Sequence, residues 1–223
     1  MKAAARRLLE QSHAHLEKGE VGRAVHVLKE ALGLEPEDVS LWEEMYRLCM
    51  LAGSPRSALF ASAELRRLAP DRADFAYRHG IAALADGQVE EALSALGDAL
   101  AGAPESVEVR RALAQVLGAL GESERALTLL EEAVALRPTE PDAVNDLAVL
   151  LCQQGAEGKG RAVPLLRRVL AAHPECTPAH LNLALALVDT DGASARVHAQ
   201  RAARSEDVDI AAQARRLLAT LSA

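Results

Sequence analysis

Aromatic side chains are nearly missing from this chain: one Trp, two Tyr and two Phe stand among 223 residues, so Leu, Val and Ala must do the packing. Cysteine is as scarce. Cys49, Cys152 and Cys176 are odd in number and far apart, which excludes a disulfide framework and fits a reducing compartment. There is no excess of positive charge and no basic run; a net charge of -7 argues against a binder of nucleic-acid phosphates. No apolar run approaches the length of a membrane span, so no direct membrane insertion is expected. Met1 to Glu10 holds Arg6 and Arg7 without the apolar stretch of a signal peptide, so a cytoplasmic protein is expected. The bias toward Ala, Leu, Arg and Gly points to a GC-rich bacterial genome.

What the chain does have is a period. Gly19, Gly53, Gly87, Gly121 and Gly155 follow one another at steps of 34 residues. Pro36, Pro70, Pro104 and Pro138 keep the step, as do Ala24, Ala58, Ala92 and Ala126. Ala162 and Pro174 then arrive two residues late, which places an insertion inside Gly155 to Arg161. A fixed period in this range marks a stacked helical array. In the stretch Val107 to Glu140 an apolar helical run ends at Gly121, and a second run from Ser123 to Arg137 stops at Pro138. The first run is apolar on most of its circumference and suits a helix buried between neighbours. The second carries Ala126, Leu129, Leu130, Ala133 and Val134 on one side and Glu124, Arg125, Thr128, Glu131 and Glu132 on the other. No such helix pair covers its own apolar stripe, so each unit depends on the next and the array is expected to be one continuous domain over 1–223.

A small residue, then Gly, Ala, Ala and Pro at Ala114, Gly121, Ala126, Ala133 and Pro138 of a 34-residue unit resembles the tetratricopeptide repeat. The resemblance covers six units, at about 5–38, 39–72, 73–106, 107–140, 141–176 and 177–206, followed by a capping helix over about 207–222. It implies an all-α fold, a right-handed superhelical solenoid of antiparallel helix pairs. The sixth unit departs from the pattern with Arg196 where Ala belongs and Val208 where Pro belongs.

Several stretches carry expectations of their own. Ser54, Asp71, Ser106 and Thr177 are placed to cap helices, with Pro55, Pro141 and Pro178 in first turns. Tyr46 and Leu65 stand in the second unit where small residues belong, and must spread the helices or turn a side chain elsewhere. Trp42 and Phe60 join Tyr46 there, as a repacked core or as an exposed aromatic contact surface. Gly155 to Arg161 reads as a mobile Gly-rich loop, without the spacing or the preceding strand of a phosphate loop. Ala3, Ala4 and Arg7 leave the N-terminal edge as a candidate for self-association, so a homo-oligomer is open. Ala211, Ala214, Leu217, Leu218 and Leu221 should face the array from the capping helix.

Catalytic constellations are wanting. Neither Gly-x-Ser-x-Gly, HExxH nor a paired CxxC occurs. His13 and His15 point to different faces of one helix; His173, Cys176 and His180 gather at a turn without a standard zinc spacing. His79 reads as a partly buried histidine with a local hydrogen bond. No catalytic, cofactor or metal site is assigned, and the chain is not expected to be an enzyme.

The resemblance implies a concave groove lined by the first helix of each unit, binding another protein or a peptide segment. Its matching positions here include Arg47, Tyr77, Arg78, Arg111, Gln115, Asn145, Asp146 and Asn182. Arg47, Arg78 and Arg111 could form a ladder for acidic groups, although each has an acid one turn back, at Glu43 or Glu44, Asp74 and Glu108. Leu9, His13 and Glu44 replace the Lys and Asn set with which some relatives hold a C-terminal carboxylate. The expected function is a non-catalytic adaptor or scaffold. A self-assembling structural protein and a regulatory or docking subunit of an enzyme are the alternatives.

Overall fold

The computed structural model describes residues 1–221, and among them there are only helices, turns and short connections. The chain divides into two compact units, residues 1–105 and 106–223. In the first, α1 (Ala3–Glu17) pairs with α2 (Val21–Leu34), α3 (Val39–Leu51) with α4 (Pro55–Leu68), and α5 (Ala73–Ala85) with α6 (Val89–Gly102). In the second the pairs are α7 (Val107–Ala119) with α8 (Ser123–Leu136), α9 (Pro141–Gln153) with α10 (Ala156–Ala172), and α11 (Thr177–Leu187) with α12 (Gly192–Ala202), closed by α13 (Val208–Thr220). Ser222, placed in the capping helix by its sequence, lies outside the described residues.

The periodic glycines make the hairpins. Gly19, Gly53, Gly87, Gly121 and Gly155 all have φ between 62 and 82°, a left-handed conformation that only glycine adopts freely. After the first four, the next residue's N–H reaches back five residues to a helical carbonyl, as in Gln88 to Ala83 and Glu122 to Leu117 at 2.8 and 2.9 Å. That bond closes the last turn and sends the chain back along itself. The periodic alanines Ala24, Ala58, Ala92, Ala126 and Ala162 are all fully buried where partner helices cross. Space at these crossings is tight: a Cβ added at Gly80 of α5 would stand 2.6 Å from Leu96 Cγ of α6. Leu28, Leu41, Leu48, Phe75 and Leu96 fill the core of the first unit, and Val144, Leu151, Leu166 and Leu183 that of the second.

The insertion is helical, not a loop. Helix α10 begins at Ala156 and runs 17 residues, so the extra residues add a first turn. Two glycines there disfavour a helix by propensity, but packing prevails. A Cβ on Gly158 would lie 2.0 Å from the Leu151 carbonyl oxygen, so the added turn can rest against the end of α9 only because position 158 lacks one.

Capping also departs from expectation at three places. Ser106 does accept from the Val109 N–H at 3.2 Å, and Asp38, Glu140 and Asp207 cap α3, α9 and α13 with their carboxylates. Ser54 precedes Pro55 as foreseen, yet its hydroxyl accepts no cap bond. Asp71 stands one residue too early, since Arg72 occupies the N-cap of α5. Thr177 is already helical and its hydroxyl lies 3.0 Å from Ser205 Oγ. In the sixth pair Asp191 caps the Ser194 N–H and the buried small residues are Ala195, Ala199 and Ala202, one place earlier than the period requires. Arg196 is thereby released to the surface, where it donates to the Leu221 carbonyl.

Candidate functional site

On the first unit, the first-helix face is built from α1, α3 and α5. Glu44 of α3 gathers two partners: Arg47, one turn on, donates from Nε and Nη2 at 2.8 and 2.5 Å, and His13 of α1 approaches at 3.1 Å. Its bonds to Arg47 chiefly hold the Glu44 carboxyl below the usual carboxylate range, against the opposing effect of burial. Arg72, at the start of α5, donates to Asp74 at 3.0 and 2.7 Å and lies 3.8 Å from the Phe75 ring centroid.

Arg78 differs from its neighbours. It sits 3.4 Å from Glu43 and 3.8 Å from Asp74, and neither approach has hydrogen-bond geometry, so these are ion pairs alone. Both acids are already engaged by Arg72. The Arg78 guanidinium lies 5.8 Å from the Tyr46 ring centroid and 5.6 Å from that of Phe75, within reach of both ring faces. With Ser40, Glu43, Glu44, Tyr46 and Arg47 it lines a cleft of about 440 Å³. Tyr46, half-buried against the core of the first unit, thus reaches from α3 toward Arg78 of α5. Tyr77 is half-buried on α5.

On the second unit the first-helix face is more self-contained. Arg111 of α7 donates from Nε to Asp146 and from Nη1 to Asp142 of α9, both at 2.8 Å. The expected pairing with Glu108 does not form; Glu108 takes Arg137 at 2.9 Å instead. Burial raises the Asp146 carboxyl above its usual range, and the pull of Arg111 only partly offsets it. Asn182 donates to Asn145 Oδ1 at 3.0 Å, and Asn145, buried, turns its own amide to the Cys176 sulfur at 3.7 Å. Gln115 is exposed.

Two histidine clusters complete the inventory. Ser62 Oγ and Glu91 Oε1 each lie 2.9 Å from a ring nitrogen of His79. The residue types are those of a hydrolytic triad, but Ser62 is fully buried and its hydroxyl also lies 2.8 Å from the Leu59 carbonyl, so no substrate reaches it. His180 Nε2 faces the Pro174 carbonyl and must donate, which makes its Nδ1 the acceptor for His198 Nδ1–H at 2.9 Å. Burial depresses the pKa of both rings. The three cysteines are free thiols, and no group of three potential metal ligands occurs among the described residues. No helix among them is long and apolar enough to cross a membrane. The exposed side of α1 presents Ala3, Ala4 and Arg7 without a large apolar side chain among them.

Two tetratricopeptide-repeat family models match the chain, one over residues 83–132 and one over 111–161. No curated protein matches it. Among solved structures it is similar to pilF of Pseudomonas aeruginosa, at 17% identity with 97% of each chain covered and a TM-score of 0.74. It is similar also to PilW, described as a widely conserved type IV pilus biogenesis factor, at 15% identity over 100% of both chains with a TM-score of 0.72. A third is MamA of Desulfovibrio magneticus RS-1, at 21% identity over 78% of this chain and 97% of that one, with a TM-score of 0.67. At such identities the likeness is one of fold. These matches place tetratricopeptide repeats within residues 83–161, and the glycine-turned helix pairs with buried alanines at their crossings repeat the same architecture outside that stretch.

Proposed function

We propose that the chain is a non-catalytic protein-interaction adaptor, and that the α3 and α5 face of its first unit holds an acidic side chain or terminal carboxylate of a partner segment. The observation that carries this reading is Arg78. A guanidinium has five N–H donors in a planar fork suited to a carboxylate. Among the described residues this one makes no hydrogen bond; it is 31% exposed and opens into a cleft of about 440 Å³ with Arg47 beside it. Tyr46 and Tyr77 supply flat apolar surface on the same helices. Arg111, by contrast, is engaged by two aspartates and acts as a structural clamp. The free thiols fit a cytoplasmic setting.

The test is affinity capture from a lysate of the encoding organism with the wild type and with an Arg47→Glu, Arg78→Glu variant shown by circular dichroism to be folded. A protein retained by the wild type and lost by the variant supports the reading. Equal retention by both places binding elsewhere on the chain.

A further inference from the structure

We propose a second docking site, on the opposite helices of the first unit: the groove between α2 and α4, floored by α3, takes a peptide segment that presents one bulky apolar side chain flanked by carboxylates. The groove is a cleft of about 540 Å³, within the range of ligand pockets. Met45 and Cys49 form its apolar floor, with their sulfurs 3.7 Å apart. Trp42 and Phe60 stand edge to face across it, with centroids 5.8 Å apart. The Trp42 indole is fixed by its N–H bond to the Pro36 carbonyl at 2.7 Å, whereas Phe60 is 62% exposed. Three of the chain's five aromatics, with Tyr46, thus belong to one repeat, and two of them line this groove.

Charge selects the occupant. The ionisable groups of the rim are Lys29 on α2 and Arg56 on α4, and among the described residues neither has an ion pair or a hydrogen bond. Two corresponding grooves have their cations paired within the chain. Between α4 and α6, Arg66 pairs with Asp98 at 2.6 Å. Between α8 and α10, a cleft of about 510 Å³ is bridged by Arg161 to Glu131, and Arg168 donates to the Pro138 carbonyl at 3.0 Å. The α2–α4 groove has a cation on each wall and no anion between them. Carboxylates on either side of one anchoring side chain can meet both cations. A fatty acid has a single head for two walls, and in so open a groove its chain would remain half in water.

Trp42 is the only tryptophan, so its emission reports directly on the groove. The full chain is titrated with acetyl-Glu-Asp-Phe-Asp-Glu-amide, with the same peptide carrying Lys at the four acidic places, and with oleate. The expected result is a saturable change with the acidic peptide only. Lys29→Glu with Arg56→Glu should weaken it about tenfold or more, since two rim ion pairs become repulsions, and should admit the basic peptide. Phe60→Ala, at an exposed position, should weaken binding while leaving the helix content unchanged. Arg78→Glu should have no effect, which separates this site from the first-helix face. Failure of the acidic peptide to bind, equal binding by the charge-reversed variant, saturation by oleate in place of the peptide, or loss of binding in Arg78→Glu alone would each overturn the proposal.

Discussion

Arg111 tests whether charge on the second unit's first-helix face is structural. Its guanidinium is 21% exposed and bonded to Asp146, 29% exposed, and to Asp142, 66% exposed. The Asp142 contact is a surface pair and contributes about 0.2 to 1 kcal/mol. The Asp146 contact is charge-assisted and mostly shielded, in the class of about 1.5 to 3 kcal/mol, discounted here because neither group is fully buried. Replacing Arg111 by Met keeps the stem and removes both, leaving two neighbouring carboxylates without a counter-ion. A loss of about 2 kcal/mol at neutral pH follows. Asp146→Asn alone should cost less, about 1 kcal/mol or below, because Asp142 remains with Arg111 and the desolvation that already raises the Asp146 pKa is relieved. The sign of the pH dependence is fixed. Without Arg111 the raised Asp146 pKa moves higher still, so the native state holds its proton over a wider range than the unfolded state. The loss must therefore grow as pH rises through that pKa and fade near the ordinary aspartate value of 3.8. Urea unfolding followed by far-UV circular dichroism on the two single variants and the double variant measures the coupling. An interaction energy below about 0.3 kcal/mol, within the scatter of independent sites, or a loss independent of pH, would refute the clamp.

Three further outcomes follow from the packing. Gly158→Ala should destabilise by about 1 to 3 kcal/mol, because its Cβ meets a backbone carbonyl that cannot turn aside, whereas Gly160→Ala, with nothing within 4 Å, should be neutral or stabilising by up to about 1 kcal/mol; chemical denaturation of the pair decides. Burial lowers the pKa of His180 and His198 below the ordinary 6.5, so stability should be constant above that pH and decline as pH falls below it, when the unfolded chain takes protons that the fold refuses. A His180→Phe, His198→Leu variant should flatten that part of the stability profile. Ala126→Trp puts a large ring at a fully buried helix crossing and should lower the melting temperature sharply; an unchanged melting curve would mean that position 126 is not at the crossing.

The fold was legible because its two determinants are written at single positions. A glycine is demanded wherever φ is positive, and a small residue wherever helices cross closely, so spacing alone locates both. The insertion was misread because glycine was weighed as a helix breaker. At 158 it serves instead as the missing Cβ that lets one helix rest on another, and no local rule distinguishes the two uses. The sixth pair was misread because its turn lacks the periodic glycine, and the register shifts by one residue. Pairing on the first-helix face was legible in part. Arg47 with Glu44 and Arg78 with Asp74 do pair one helical turn apart, while other residues of that face pair roughly one repeat apart: Arg111 with Asp142 and Asp146, His13 with Glu44, Asn145 with Asn182.

That longer spacing also explains why Arg78 is left without a hydrogen bond. From Arg111, steps of 31 and 35 residues arrive at Asp142 and Asp146, and both accept from it. The same steps from Arg47 arrive at Arg78 and Ala82, a like charge and a methyl group. Arg47 accordingly turns back one helical turn to Glu44. Arg78 in its turn has Glu43, 35 residues before it, but that carboxylate is also drawn to Arg72, whose own position at the start of α5 holds Asp74 as well. Three guanidiniums, of Arg47, Arg72 and Arg78, thus share Glu43, Glu44 and Asp74, and the one placed deepest along α5 is the one without hydrogen bonds. An array that saturates its charges one repeat apart is inert wherever the ladder is complete. On the proposed reading a foreign carboxylate is held where the ladder is interrupted, and in the first unit the interruption falls on Arg78.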